Sequence, residues 1–365
     1  MRLRRLLRRL VLALPHNKVH VIKFLSILCL AICAILYVIF YVLLEDNIVI
    51  DKRYESAVNE AILKDRVDFH EMAIANMCSN TTARCYSVYD RKLSLDGEEE
   101  VVERHLMVDG FHADSDTVVR LIAPPGETFE TSDTRMWQIK HSELCFQYSA
   151  AVLAAPFLLT SLPLDTDLKG RKWLEIGLGG GSLGMALHLL KPELEITEVE
   201  IDPAVLHIAK EWFGVKESKN HRIVVDDGFK FVEEAVKTGE KYDVIILDAC
   251  DESIVSPCPA KAMRSKEFAL TLKSALMSTG TLVVNILSGD IEGAGSSSGE
   301  IASQFTSVFP ACLQMKMSSE LNIVLACVPY TIANIRHQLS FYNSRMGRIG
   351  SQFNLTNVLD NVSIV

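Results

Sequence analysis

The residues with the clearest chemical content lie between Glu175 and Asn285. The stretch Gly177-Leu-Gly-Gly-Gly-Ser-Leu-Gly184 is dense in glycine. Glycine lets a chain turn sharply off a strand and brings backbone N–H groups close to a ligand where a Cβ would collide. Glu200 follows about twenty residues after the first glycine, and a carboxylate at a strand tip there can accept hydrogen bonds from both hydroxyls of a ribose. Asp227-Gly228, Asp248, Asp251 and Asn285 come next. Carboxylate and amide oxygens at the rim of a bound ligand can accept the hydrogens of an amine and aim its lone pair. Asp202, just before Pro203, reads as a helix N-cap rather than a ligand. Cys250 and Cys258 read as structural or incidental rather than nucleophilic. No histidine stands in a ligand spacing, so no metal is expected.

Such residues work only if strands and helices deliver them to one place. Trp173–Ile176 reads as a strand, the glycines as a turn, and the next residues as a helix whose positive end points at whatever is bound. Strand and helix then alternate. A strand is expected to end at Glu200, and others at Arg222–Val225, Tyr242–Leu247 and Thr281–Ile286; helices at Pro203–Trp212, Phe229–Lys237, Ser265–Met277 and Ile301–Phe309. Strict alternation predicts a parallel sheet with helices on both faces. Cys312–Met317 and Asn322–Val328 follow with no helix between them and read as an antiparallel edge hairpin. The fold class is therefore α/β: a Rossmann-like, seven-stranded sheet of the methyltransferase type, with ligands bound at the carboxyl ends of its strands. Glu200, Asp227, Asp248 and Asn285 all fall at such ends.

Composition sets the surroundings. Nine cysteines show no metal-like pairing; Cys78 and Cys85 could close a small loop. The net charge of −9 argues against a broad nucleic-acid surface. Arginines nevertheless crowd the first ten residues, and from Phe24 to Leu44 there is no charge at all. The chain accordingly divides into a basic tail (1–18), a transmembrane helix (19–44), a membrane-proximal helical stem (45–83) and a β-rich module with a linking helix (84–165). A ligand-binding domain (166–345) and a C-terminal tail (346–365) follow. The positive-inside rule leaves the N-terminus in the cytoplasm and places the large domain in the lumen of the secretory pathway. Sequons at Asn80, Asn354 and Asn361 suit a glycoprotein there. A mitochondrial membrane is the alternative, because an Arg-rich, acid-poor N-terminus also resembles a transit peptide.

Several segments together resemble the spermidine-synthase-like branch of the class I S-adenosylmethionine-dependent methyltransferases. They are Gly177-Leu-Gly-Gly-Gly-Ser-Leu, Val199-Glu-Ile-Asp-Pro, Trp212-Phe-Gly, Asp227-Gly228, Tyr242-Asp-Val-Ile and Asn285-Ile-Leu, and the likeness covers about residues 166–330. It implies S-adenosyl-L-methionine as cofactor. Gly177, Gly179 and Gly181 would face its methionine and ribose, Glu200 would hold the ribose hydroxyls, and Asp227 would accept from the adenine amine with Gly228 beside it. Glu175 and Asp248 complete the cofactor set. Asp248, Asp251 and Asn285 would form the catalytic rim, since methyl transfer to an amine requires an aligned, deprotonated nucleophile and no acid for the leaving group.

The departures from that branch matter. The synthases carry Gly-Gly-Gly-Asp-Gly where this chain has Gly179-Gly-Gly-Ser182-Leu183, and Tyr-(His/Gln)-Glu-Met where it has Tyr148-Ser-Ala-Ala151. Only Asp248-Ala-Cys-Asp251 keeps the spacing of their Asp-Ser-Ser-Asp. The expected function is a membrane-anchored methyltransferase acting on an amine of a protein or small molecule. A cofactor-fold binding protein without catalysis is the alternative, with aminopropyl transfer further behind. A homodimer stays open.

Overall fold

The computed structural model describes residues 70–93, 100–109, 116–253, 255–287, 297–333 and 338–365, all within one unit running from Arg66 to Val365. The first of its two sheets is antiparallel, in the order β1 (His70–Cys78), β2 (Cys85–Leu93), β3 (Val101–Val108), β4 (Thr117–Ile122) and β5 (Gln138–Ile139). Here the expected helical stem is corrected. Residues 70–78 are a strand, paired residue by residue with β2 from His70↔Lys92 to Cys78↔Cys85, and a Cys78–Cys85 disulfide closes the turn. Residues 79–83 lie in the turn between the two strands, and residues 45–69 of the stem lie outside the described residues.

The second sheet has the order β13-β11-β12-β10-β9-β6-β7-β8. Its parallel body comprises β6 (Lys172–Ile176), β7 (Glu195–Glu200), β8 (His221–Val225), β9 (Tyr242–Leu247) and β10 (Leu276–Leu287). β11 (Ala311–Met317) and β12 (Asn322–Val328) form the expected antiparallel hairpin on β10. An eighth strand, β13 (Val362–Ile364), pairs with β11. The segment 346–365 is thus no tail: it completes the sheet edge. Chain order starts at β6, runs out through β7 and β8, then returns to β9 on the other side. The β6/β9 boundary is therefore the switch point where ligands bind in such sheets.

Helices cover both faces. On one lies α1 (Gln147–Leu158), buried from Ser149 to Leu158. A helix apolar on every side belongs inside a core, and α1 packs with α2 (Ser182–Leu190), α7 (Leu339–Phe353) and α8 (Thr356–Leu359). Its first N–H groups, from Gln147 and Tyr148, donate to the Glu320 carboxylate at 2.6 and 2.8 Å. On the other face lie α4 (Gly228–Thr238), α5 (Lys266–Ala275) and α6 (Ser297–Thr306). The β-rich sheet packs Tyr86, Val88, Leu106 and Val119 against α3 (Pro203–Trp212) and Leu178.

Among the described residues no helix is long and apolar enough to cross a membrane. The longest, α7, has 15 residues, too few to span a bilayer. The run proposed as the span, 19–44, lies outside the described residues.

Candidate functional site

The glycine turn joins β6 to α2 with Gly177, Gly179 and Gly181 at φ of 102°, 53° and 70°. Its tightest approach to another stretch of backbone is at Gly177, where a Cβ would stand 2.6 Å from the carbonyl oxygen of Asp248. Adjacent strand ends are thereby locked together, and Asp248 N–H donates to the Ile176 carbonyl at 2.9 Å. The loop's own N–H groups are mostly engaged. Gly177 donates to Val199 O, Leu178 to Glu200 Oε2, Gly180 to Thr117 Oγ1, and Gly181 to Leu178 O. A phosphate nest needs free N–H groups, so this turn does not suit a pyrophosphate.

Glu200 ends β7, buried at 7% exposure. Its two oxygens accept from Leu178 N–H at 3.0 Å and Asp202 N–H at 2.9 Å. A carboxylate has about four lone-pair sites, so each oxygen keeps capacity for a hydroxyl. Burial pushes its pKa up to about 7 against those two N–H donors, with Asp116 and Asp202 adding repulsion. Asp202 is the α3 N-cap, as expected: it accepts from Ala204 N–H, and also from Ser79, Thr82 and Tyr86 of the β-rich sheet at 2.6 to 2.8 Å. Burial raises Asp202, but these donors outweigh it and hold it below the usual carboxylate range.

Asp227 caps α4 through Phe229 N–H at 2.9 Å, while its other oxygen has an ion pair of 3.8 Å to exposed Lys230. Gly228 is buried, and a Cβ there would strike Ile176 at 2.4 Å, so only glycine lets α4 start this close to β6.

Asp248 follows β9. Its Oδ1 accepts from Asn285 Nδ2 at 2.6 Å, and Asn285 Oδ1 in turn accepts from Asn322 Nδ2 at 2.9 Å. This relay fixes the Asn285 amide and so aims the carboxylate. Burial pushes Asp248 up to about 7, the Asn285 hydrogen bond opposes this, and Asp116 adds to it.

The remaining expected residues fall elsewhere. Asp251 serves its own loop, accepting from Ser253 and Lys261 N–H groups, near Arg264 and beside the Cys250–Cys258 disulfide. Glu175 is buried within the sheet at 3% exposure, and burial next to Glu198 and Asp248 keeps its carboxyl far above the usual range.

Two neighbours were not singled out as functional from the sequence. Tyr148 lies in the first turn of α1, and burial together with the Asp248 and Asp116 carboxylates keeps its phenol neutral. Asp116 precedes β4, and its Oδ2 would lie 3.4 Å from a Cβ on Gly179. Both arrive by tertiary contact from outside the motif-bearing stretch; only the Tyr148-Ser-Ala-Ala segment gave a local signal. Among the described residues no group of three or more His, Cys, Asp or Glu is arranged to hold a metal ion.

Residues 157–315 match the family described as the spermine/spermidine synthase domain. The chain is 30% identical over 200 residues to the eEF1A lysine and N-terminal methyltransferase of Homo sapiens, covering 52% of this chain and 27% of that protein. It is 38% identical over 120 residues to the polyamine aminopropyltransferase of Vibrio vulnificus (strain CMCP6), covering 33% of this chain and 39% of that one. The chain thus spans about a quarter of the human relative's length. A probable spermidine synthase from Corynebacterium glutamicum ATCC 13032 superposes with a TM-score of 0.50 at 15% identity, covering 80% of this chain and 89% of that one; this likeness shows the fold alone. A relative named for an elongation factor gives no support to a catalytic domain held in a lumen or at a mitochondrial membrane, and that localisation is withdrawn.

Proposed function

We propose that this chain, whose residues 157–315 match the spermine/spermidine synthase domain, is an S-adenosylmethionine-dependent methyltransferase acting on an amine. The observation that carries the reading is the Asp248–Asn285 pair, set against the backbone of the glycine turn. It puts a hydrogen-bond acceptor for an amine beside the loop that would hold the cofactor. The residues fit that cofactor better than a dinucleotide. The turn's N–H groups are largely occupied, and Glu200 stands at the strand tip with lone pairs left for ribose hydroxyls. Asp227 and Gly228 would border the adenine.

The cofactor, when bound, supplies a sulfonium methyl group. The protein's part is positioning. Asp248 accepts a hydrogen of the acceptor amine and so directs its lone pair, while Asn285 and Asn322 hold Asp248 in place. Asp251 enters the reading only by shaping the loop beyond Asp248. The likeness to the human eEF1A lysine and N-terminal methyltransferase favours an amine of a protein as acceptor.

Aminopropyl transfer is the second reading, favoured by the domain match and by the Asp248-x-x-Asp251 spacing. Against it, the Asp251 carboxylate is already taken by two backbone N–H groups, and the turn has Ser182 where the synthases have Asp. Decarboxylated cofactor with putrescine distinguishes the two: product would favour aminopropyl transfer.

Calorimetric titration with S-adenosylmethionine tests the cofactor. The intact chain is expected to bind, and Glu200→Ala to weaken binding by about a hundredfold or more, since two hydrogen bonds to a charged group are lost. No binding by the intact chain would overturn the reading.

A further inference from the structure

We propose that Asp116, brought to the site by the β-rich sheet, is the receptor for the α-ammonium group of the cofactor's methionine moiety. The inference rests on the cofactor reading above. S-Adenosylmethionine carries an ammonium and a sulfonium, and its binding site must supply anions to match. The glycine turn supplies none: residues 177–184 are Gly, Leu and Ser only.

Asp116 fills that gap by position. Its neighbour Thr117 is buried, and Thr117 Oγ1 accepts the Gly180 N–H at 2.9 Å, which fastens the start of β4 to the turn. Asp116 N–H donates to Leu106 O at 2.8 Å, fixing the backbone from the other side. The Asp116 carboxylate lies against Gly179, where even a methyl group would come within 3.4 Å of Oδ2. Position 179 must be small because a Cβ there would stand 2.9 Å from Thr117 Oγ1, the atom that fastens β4 to the turn.

The other acids nearby have a part in the reading already, Glu200 toward the ribose hydroxyls and Asp248 toward the acceptor amine. Glu200 holds two N–H groups and Asp248 holds Asn285. Among the described residues no donor is hydrogen-bonded to the Asp116 side chain. Its charge is nonetheless felt by Glu200, Asp248 and Tyr148, each of which it raises. Asp116 is thus coupled electrostatically to both the ribose end and the amine end of the site. Although it keeps solvent-accessible surface, the surrounding protein raises its own carboxyl as well, and Arg84, itself 3.1 Å from Glu252, opposes that rise. Carboxylates that raise one another repel, and a cation among them relieves the repulsion.

The test compares two ligands on the intact chain and on Asp116→Asn, by calorimetry. S-Adenosylhomocysteine carries the α-ammonium; 5′-methylthioadenosine keeps the adenosine and sulfur but lacks the amino-acid part. Asp116→Asn is expected to weaken S-adenosylhomocysteine by about tenfold or more and to leave 5′-methylthioadenosine unchanged. Equal weakening of both would mean that Asp116 only supports the turn, and would overturn the assignment. Unchanged binding of both, with slower transfer to an amine acceptor, would move Asp116 to the acceptor and also overturn it. If the unsubstituted chain binds neither ligand, the cofactor reading fails and takes this inference with it. That failure is recognisable because it does not depend on the substitution.

Discussion

Asp248→Asn is expected to lower the rate of methyl transfer about 10²–10⁴-fold, the range for removing a positioned proton acceptor, while affinity for S-adenosylhomocysteine changes far less. The substitution is close to isosteric, and an amide oxygen can still accept from Asn285 Nδ2, so the strand end keeps its geometry. What is lost is the charge that accepts the amine hydrogen. The pH dependence gives a second signature. Burial pushes the Asp248 carboxyl up to about 7, so the ionised, accepting form gains population as pH rises through that value. The single-turnover rate should climb over the same interval, and the variant should lack that limb. Stability runs the other way. A carboxyl raised in the folded state contributes stability that is complete below the unfolded carboxylate value, about 3.9, and is lost as pH rises through 7. Thermal melts should therefore show the intact chain losing stability over that window more steeply than Asp248→Asn. A variant that keeps both the rate and the pH limb would remove Asp248 from the reaction.

The parallel body of the second sheet was legible because its signals are local. Tyr242–Leu247 is apolar apart from Asp243 and is followed by the charge of Asp248, and Asp202-Pro203 and Ser265 mark helix starts that are capped as their residue types require. Elements made by distant pairing were not legible. Nothing within Val362–Ile364 marks a strand; its partner β11 lies about 47 residues upstream. His70–Cys78 mixes polar and apolar residues without clean alternation, and its irregular register around Ala73 and Ala75 blurs the period of two. The site divides along the same line. Glu200, Asp248 and Asn285 could be proposed from the sequence because the carboxyl ends of strands carry them in order. Asp251 shows the limit of spacing alone: the interval matched a motif, but its side chain organises the loop. Asp116 and Asn322 belong to no motif and come to the site only through sheet pairing and the docking of the β-rich module on the turn.

That docking can be tested at Arg104. Its guanidinium is 2% exposed and makes a two-pronged pair with the fully buried Asp90, Nε to Oδ1 and Nη2 to Oδ2, both at 2.7 Å. It also donates to the carbonyls of Thr134 and Trp212 at 3.0 and 2.8 Å. Trp212 is the last residue of α3, where the helix dipole favours a cation. Arg104→Met strands the Asp90 carboxylate without a partner, which is expected to cost about 3–5 kcal/mol. For a unit of this size each kcal/mol lowers Tm by about 2–4 °C. Arg104→Lys should recover little, because one ammonium cannot reproduce the planar fork. Arg104→Met with Asp90→Leu should recover most of the loss, because no buried charge is left unpaired. A single substitution that costs under about 1 kcal/mol in a urea titration would refute this account. Function should follow stability. Arg104 pairs with Val119 and Leu106 with Thr117 across β3 and β4, so loosening this pair displaces the strand that seats Thr117 on Gly180. Cofactor binding should then weaken in Arg104→Met at temperatures where the chain is still folded. It should return in the double variant, because the sheet needs the absence of a stranded charge more than the pair itself.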